Sequence, residues 1–138
     1  MREILFRGKT YNDKWVQGLL VQMDDHLTQI RKLGSDGIGY YDYSIVPSTV
    51  GQYTGLTDKN GKKIFEGDVL NVHDQIPMFD GYDTDEIVYN GKVMYIKNQG
   101  MFVCEGNNDG NALCALNLDK CEVIGNIYDN PELSEAAK

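Results

Sequence analysis

The chain is a succession of short runs in which apolar residues alternate, separated by glycine, asparagine and aspartate. It holds 15 glycines and nine tyrosines among 138 residues. Runs with a period of two indicate strands, and the residues between them favour tight turns. The apolar fraction of 41% and the charged fraction of 25% are those of an ordinary globular protein. The expected fold class is therefore mainly β.

Residues 1–60 predict an N-terminal antiparallel β lobe. Three runs, near Phe6, over residues 15–23 and over residues 26–33, are joined by turn-forming segments and predict a three-stranded meander. A further run over residues 39–46 must end at Pro47 or lie at a sheet edge. In the second run Val16 and Leu20 alternate with Trp15, Leu19, Val21 and Met23, which predicts burial on both faces.

Residues 61–138 predict a second lobe. A hairpin turn at Asn60 and Gly61 leads to a bend at Gly67 and Asp68, followed by an acidic, glycine-rich loop over residues 74–86. Strands are predicted over residues 87–89, 92–96, 101–105, 112–118 and 121–128. This spacing suits a small closed barrel of SH3-like type, with a short helix in the tail over residues 130–138. Because no flexible linker separates them, the N-terminal lobe is expected to pack on the barrel as one cooperative unit.

Catalytic and metal chemistry finds little support in the sequence. The acidic segment of residues 80–86 could offer oxygen ligands to Ca²⁺ or Mg²⁺, but its spacing is not that of an EF-hand. The glycines at 51, 55, 61 and 67 form no phosphate-binding motif. We expect no enzymatic activity, no catalytic residue, no cofactor and no bound metal.

The cysteines and the targeting signals bear on the cellular compartment. Cys104, Cys114 and Cys121 are odd in number, lack a Cys-x-x-Cys pair and lie among apolar residues, so we predict three buried free thiols. A zinc site would need His26 or His73, which are distant in sequence. No signal peptide or membrane-spanning run is evident, which predicts a cytoplasmic protein.

Charge and aromatic residues bear on the partner. A net charge of −8 opposes binding to nucleic acid, although basic spots occur at Arg31 and Lys32 and around the 58–61 turn. That second spot consists of Lys59, Lys62 and Lys63. Tyr40, Tyr41, Tyr43 and Tyr53 are the candidate binding residues, because tyrosine is enriched in protein interfaces. The alternative is burial of these rings within the chain. The expected partner is another protein or a second copy of the chain. Binding to a membrane is not expected.

Three parts of the chain carry recognisable motifs: TVGQYTGL with DKNGKKIFEGDV (residues 49–56 and 58–69), RGK with WVQG (7–9 and 15–18), and EVIGNIYDNP (122–131). Together these motifs resemble the YopX family of phage and prophage proteins. The resemblance implies a phage or prophage origin and an SH3-like barrel, and it brings no established activity. The leading hypothesis is a non-enzymatic accessory protein that binds a protein or assembles with itself. The alternatives are a nucleic-acid-associated or DNA-mimicking accessory protein and an enzyme with a metal at residues 80–86.

Overall fold

The computed structural model describes residues 2–24, 27–77, 81, 84–106 and 110–135, and most of them lie in strands. The mainly β class that the sequence predicts is confirmed. The chain divides into two compact units, residues 1–55 and 56–138. This division falls five residues before the predicted lobe boundary, within the fifth strand.

The first unit is an antiparallel sheet. Its strands are β1 (Phe6–Lys9), β2 (Trp15–Asp24), β3 (Leu27–Leu33), β4 (Tyr40–Ser44) and β5 (Gly51–Thr57), in the order β4-β3-β2-β1-β5. The predicted meander of the first three strands is confirmed by their registers. Pro47 ends the run that contains β4 and begins a 3₁₀ turn, Pro47–Thr49. Strand β4 therefore lies at the edge of the sheet.

The core of the first unit lies on one face of this sheet. Val16, Ile30 and Ile45 are buried there, and Phe6, Leu20 and Val50 pack against them. The prediction that both faces of β2 are buried is wrong, because Leu19 and Met23 are 55% and 70% exposed. Val16 and Leu20 face the core, and the opposite face of β2 carries exposed apolar residues. Alternation alone cannot distinguish a buried apolar face from an exposed one.

The second unit contains a five-stranded antiparallel sheet. The hairpin strand β6 (Lys63–Phe65), which pairs with β5, precedes β7 (Asp68–Pro77), β8 (Thr84–Ile96), β9 (Met101–Glu105), β10 (Gly110–Ala112), two 3₁₀ turns (Leu113–Ala115 and Leu118–Lys120), β11 (Glu122–Asn126) and helix α1 (Pro131–Glu135). The sheet order is β10-β9-β8-β7-β11. Over the described residues this sheet is open, with β10 and β11 at its edges, so the closed SH3-like barrel is not confirmed.

The core of the second unit is larger. Strands β6 to β9 and the 3₁₀ turns contribute to it, and its buried members are Ile64, Leu70, Val72, Val93, Cys104, Leu113, Leu116 and Cys121. The predicted tail helix is confirmed as α1.

The prediction of separate strands over residues 87–89 and 92–96, divided by a turn at Asn90 and Gly91, is wrong, because β8 runs straight through both residues. Asn90 lies opposite Asn71 of β7, and the Asn71 side chain donates to Asn90 Oδ1 at 3.2 Å. At Gly91 an added Cβ would lie 2.5 Å from Cys104 Sγ. Glycine is needed here because β9 packs closely against this position. In the sequence, such a glycine looks the same as one that forms a turn.

Two further assignments need correction. The acidic loop is shorter than residues 74–86, because β7 continues to Pro77 and β8 begins at Thr84. Asp80, Tyr82 and Asp83 lie outside the described residues. In place of the strand expected over residues 112–118, the chain forms a 3₁₀ turn at Leu113–Ala115 that buries Leu113.

Candidate protein-interaction surface

Strand β4 presents three of the four predicted tyrosines at the surface. All five of its residues are exposed, with Tyr40 at 67%, Tyr41 at 57% and Tyr43 at 39%. Tyr43 and Tyr41 lie opposite Ile30 and Lys32 of β3, so they share one face of the sheet. Tyr40 is on the other face, opposite Leu33. The strand thus exposes aromatic rings on both sides of the sheet.

The backbone of β4 has one side directed away from the sheet. At its two ends Ile45 N–H donates to Thr28 O at 3.0 Å, and Gly34 N–H donates to Gly39 O at 2.7 Å. Hydrogen-bonded and non-hydrogen-bonded pairs alternate along an antiparallel ladder, so the peptide groups of Tyr41 and Tyr43 point toward β3. Those of Tyr40, Asp42 and Ser44 point outward.

One end of this edge is covered. A bridge between Thr10 and Ile45 lies beside Ser44, and Val46 N–H donates to Lys9 O at 2.9 Å. The outward peptide groups that remain open are those of Tyr40 and Asp42. Next to the covered end is a cleft of about 370 Å³, lined by Thr10, Tyr11, Asn12, Lys14, Val16, Asp42, Tyr43 and Ser44.

A salt bridge fixes the charge at this edge. Arg31 Nε donates to Asp42 Oδ1 at 2.8 Å and its Nη2 donates to Oδ2 at 3.1 Å, a two-point contact between facing residues of β3 and β4. The hydrogen bond from Arg31 lowers the pKa of Asp42, and the same contact raises the pKa of Arg31. Asp42 therefore carries a compensated charge at neutral pH.

An apolar strip extends from Tyr40 across the outer face of the sheet. Leu33 lies opposite Tyr40, and Leu19 of β2 lies opposite Arg31, so these side chains share one face. Leu33 and Leu19 are 52% and 55% exposed. Sequence reasoning missed this strip. The signal was present in the turn, because a hairpin with residues 34–39 between its strands places Leu33 opposite Tyr40.

Tyr53 stands apart from the other candidate residues. It lies in β5, is 9% exposed and donates its backbone N–H to Leu5 O at 2.8 Å. Its ring is therefore not part of the exposed surface, although it lies in a strand like the other three tyrosines. Whether a tyrosine in a strand is buried or exposed depends on the tertiary fold.

Charge is distributed unequally between the two units. Residues 1–55 carry six basic and six acidic side chains, whereas residues 56–138 carry seven basic and fifteen acidic ones. The whole net charge of −8 thus belongs to the second unit, and the unit with the exposed tyrosines is neutral. A unit without net charge does not repel a charged partner at long range, and its exposed tyrosines are residues that interfaces favour.

Acidic partners lie beside members of both basic spots. Arg31 is bonded to Asp42, and Lys59 Nζ lies 3.4 Å from Glu122 Oε2. These contacts reduce the local positive potential that phosphate binding would need.

The central segment of the family resemblance has structural roles. Asp58 is 5% exposed, and its carboxylate accepts hydrogen bonds from the backbone N–H groups of Asn60, Lys62 and Val123, each at 2.9 Å. Asp68 is 1% exposed, and its Oδ2 accepts from Phe65 N–H at 2.7 Å. Both carboxylates close turns of the second unit.

Metal-ligating residues and thiols were the other groups considered in the sequence. Within the described residues no group of three or more His, Cys, Asp or Glu side chains is arranged to hold a metal ion. His26 lies outside those residues, and His73 contacts Glu86 and Asn71.

The cysteines differ in burial. Cys104 and Cys121 are buried, but Cys114 is exposed. The prediction of a buried Cys114 is wrong, because the 3₁₀ turn buries Leu113 and leaves the next residue outside.

The chain is similar to a known protein family and to a solved structure. A family model described as "YopX protein" matches residues 5–135. The crystal structure of protein EF1440 from Enterococcus faecalis is similar with a TM-score of 0.55 and 26% identity, over 96% of this chain and 99% of that one. No curated protein matches the sequence. Among the described residues, no helix is long and apolar enough to cross a membrane.

Proposed function

Because this chain belongs to the YopX family, we propose that it is a non-enzymatic protein-interaction module of phage or prophage origin that acts in the bacterial cytoplasm. The first unit supplies the contact surface. The observation that carries this proposal is the concentration of exposed apolar side chains on the unit that has no net charge.

That concentration is clear among the described residues. Nine exposed large apolar side chains lie in the first unit and four in the second. Those of the first unit are Ile4, Tyr11, Leu19, Met23, Leu33, Ile38, Tyr40, Tyr41 and Tyr43, and those of the second are Val88, Tyr95, Met101 and Ile124. Scattered exposed apolar residues are normal, whereas several on one face of a sheet, such as Leu33, Tyr40 and Leu19, are typical of interaction sites.

Site-specific photo-crosslinking tests the proposal. A photoreactive phenylalanine analogue at Tyr40 or Leu33 should form protein adducts in the host cell during phage growth. The same analogue at Val88 or Ile124, which are also exposed, is the matched control and should give few adducts. Equal yields at all four positions, or adducts with nucleic acid alone, would remove the basis for this function.

A DNA-mimicking accessory protein is the second candidate. The observation in its favour is the net charge of −8 carried by residues 56–138 alone. Such a protein binds the basic surface of a nucleic-acid-binding protein, so its association weakens as salt rises. The crosslinking positions distinguish the two proposals, because mimicry places the adducts on Val88 and Ile124 of the second unit.

The SH3-like barrel remains a proposal for the second unit. It is supported by the sharp bend before β7, where Gly67 has a φ of 93°, and by the run of consecutive antiparallel strands that follows. An experimental structure in which β10 and β11 remain the unpaired edges of an open sheet would contradict it.

A further inference from the structure

We propose that a second copy of this chain pairs with β4 in antiparallel fashion across a two-fold axis at Tyr41. This inference rests on the proposed function, since it names one partner for the same surface. It is carried by three features of β4 and its surroundings: the open edge, an exposed side chain on one side of Tyr41 and a cleft on the other, and the local balance of charge.

The open edge fits this register. Tyr40 and Asp42 direct their peptide groups outward, whereas the groups beside Ser44 are next to the Thr10–Ile45 bridge. A two-fold axis at Tyr41 places Tyr40 of one copy opposite Asp42 of the other, so that each open N–H and C=O gains a partner. An axis at Tyr43 would instead bring the second copy against the segment of residues 10–14.

The side chains around the edge are self-complementary. Ile38 is 86% exposed and lies three residues before Tyr41, and the cleft beside Ser44 lies three residues after it. The ladder with β3 continues past β4 to Gly39, whose O accepts a hydrogen bond from Gly34 N–H at 2.7 Å, so each of these distances is roughly 10 Å. A two-fold axis at Tyr41 therefore brings Ile38 of each copy to the cleft of the other. The same operation sets the two Tyr41 rings side by side as a cross-strand aromatic pair.

Electrostatics permit the approach of two copies at this edge. Arg31 compensates Asp42 at 2.8 Å, and residues 1–55 carry no net charge. The proposed register sets Asp42 opposite Tyr40 of the other copy and avoids the like-charged Asp42 pair that an axis at Asp42 would create. Like charges directly opposite each other in a ladder are unfavourable.

The size of the contact sets its strength. A pair of five-residue strands with two seated isoleucines buries less than the roughly 1,600 Å² of a standard stable interface. The dimer should therefore be weak and should dissociate on dilution in the micromolar range.

Cysteine scanning tests the register, because only a residue on the two-fold axis meets itself. Cys114→Ser removes the exposed native thiol. In that background Tyr41→Cys should oxidise to a disulfide-linked dimer at micromolar protein concentration, where the weak dimer is populated, since facing residues in a non-hydrogen-bonded pair have the separation that a disulfide needs. Ile38→Cys is the control. Its thiol is more exposed, but its copies would lie roughly 20 Å apart in the dimer.

The expected result is a dimer yield at least several-fold higher for Tyr41→Cys than for Ile38→Cys, Asp42→Cys or Tyr43→Cys. Equal yields, or a maximum at any of the other three positions, would overturn the proposal. If photo-crosslinks from Tyr40 reach another protein while Tyr41→Cys stays monomeric, the pairing fails and the proposed function stands. If neither reports a protein contact, both fail.

A second measurement avoids changes within β4. Ile38→Asp lies in an exposed turn and should leave the fold intact, but it should raise the dimer Kd about tenfold or more, because two buried isoleucines are lost. Ile124→Asp, which is exposed on the second unit, is the matched control and should leave Kd unchanged. Sedimentation over a range of concentrations measures both, and equal Kd values for the two variants would contradict the seating of Ile38.

Discussion

At the scale of single residues, Asp58 shows how the central sequence motif stabilises the fold. Burial alone would raise its pKa, but the hydrogen bonds from the N–H groups of Val123, Lys62 and Asn60 outweigh it, so its pKa lies below the ordinary 3.8. A carboxylate whose folded pKa is depressed stabilises the protein above the unfolded pKa of about 3.9. That contribution is lost as pH falls through the folded pKa.

Asp58→Asn should therefore lower the free energy of unfolding at pH 7 by about 2 kcal/mol, the range for hydrogen bonds to a charged group. Its stability should also decline less steeply than that of the wild type below about pH 4. Denaturant unfolding at several pH values measures both effects. Asp85→Asn, at an exposed site, is the matched control, and equal stabilities of the two variants at pH 7 would contradict the role of Asp58.

The cysteines give a second prediction at this scale. Burial raises the pKa of Cys104 to about 12 and also raises that of Cys121, so few of these thiols ionise near neutral pH. Thiol titration of the native protein should therefore show one fast thiol and two slow ones. Cys114→Ser should remove the fast phase. Three fast thiols, or a fast phase that survives this change, would show that the core of the second unit is open.

At the scale of elements, the bend between β6 and β7 depends on one glycine. Gly67 has a φ of 93°, its N–H donates to Val93 O at 2.8 Å, and its O accepts from Ile127 N–H at 2.9 Å. A β-branched residue is strongly disfavoured at this φ. The bend thus joins β6, β8 and the segment after β11.

We expect Gly67→Val to destabilise the protein by about 1–3 kcal/mol through backbone strain. Gly81→Ala is the comparison. Gly81 also has a positive φ, 73°, so its replacement should cost about 1 kcal/mol through strain alone. Denaturation midpoints should therefore rank wild type first, Gly81→Ala second and Gly67→Val last. An equal effect at both sites would show that the buried bend adds nothing beyond local strain.

At the scale of the whole molecule, charge governs the contact with nucleic acid. The net charge is −8, and Lys59 is already paired with Glu122. Titration with DNA or RNA at near-physiological salt should show no submicromolar binding, because phosphate contacts require unpaired basic side chains. Tight binding that weakens steeply with salt, and is lost in the combined Lys59, Lys62 and Lys63 alanine variant, would favour a nucleic-acid-binding function instead.

The sequence by itself determined the local features of this protein. The period-two runs indicate strands, and the turn residues place most of the connections, because strand and turn preferences depend on neighbouring residues. The meander of β1 to β3, the end of the β4 run at Pro47, the bend at Gly67 and the helix after Asn130 were all predictable. The family could also be predicted, because its motifs contain the turn residues and the buried carboxylates of the fold.

Only the tertiary structure decided which faces and edges are open. Leu19 and Val16 look alike in the sequence, yet one is exposed and the other buried, because packing covers a single face of β2. Gly91 reads as a turn residue but packs against Cys104, a contact between strands. Tyr53 is buried, while Tyr40 lies at an edge. Burial and strand order depend on residues far apart in the chain, and a period of two carries no information about them.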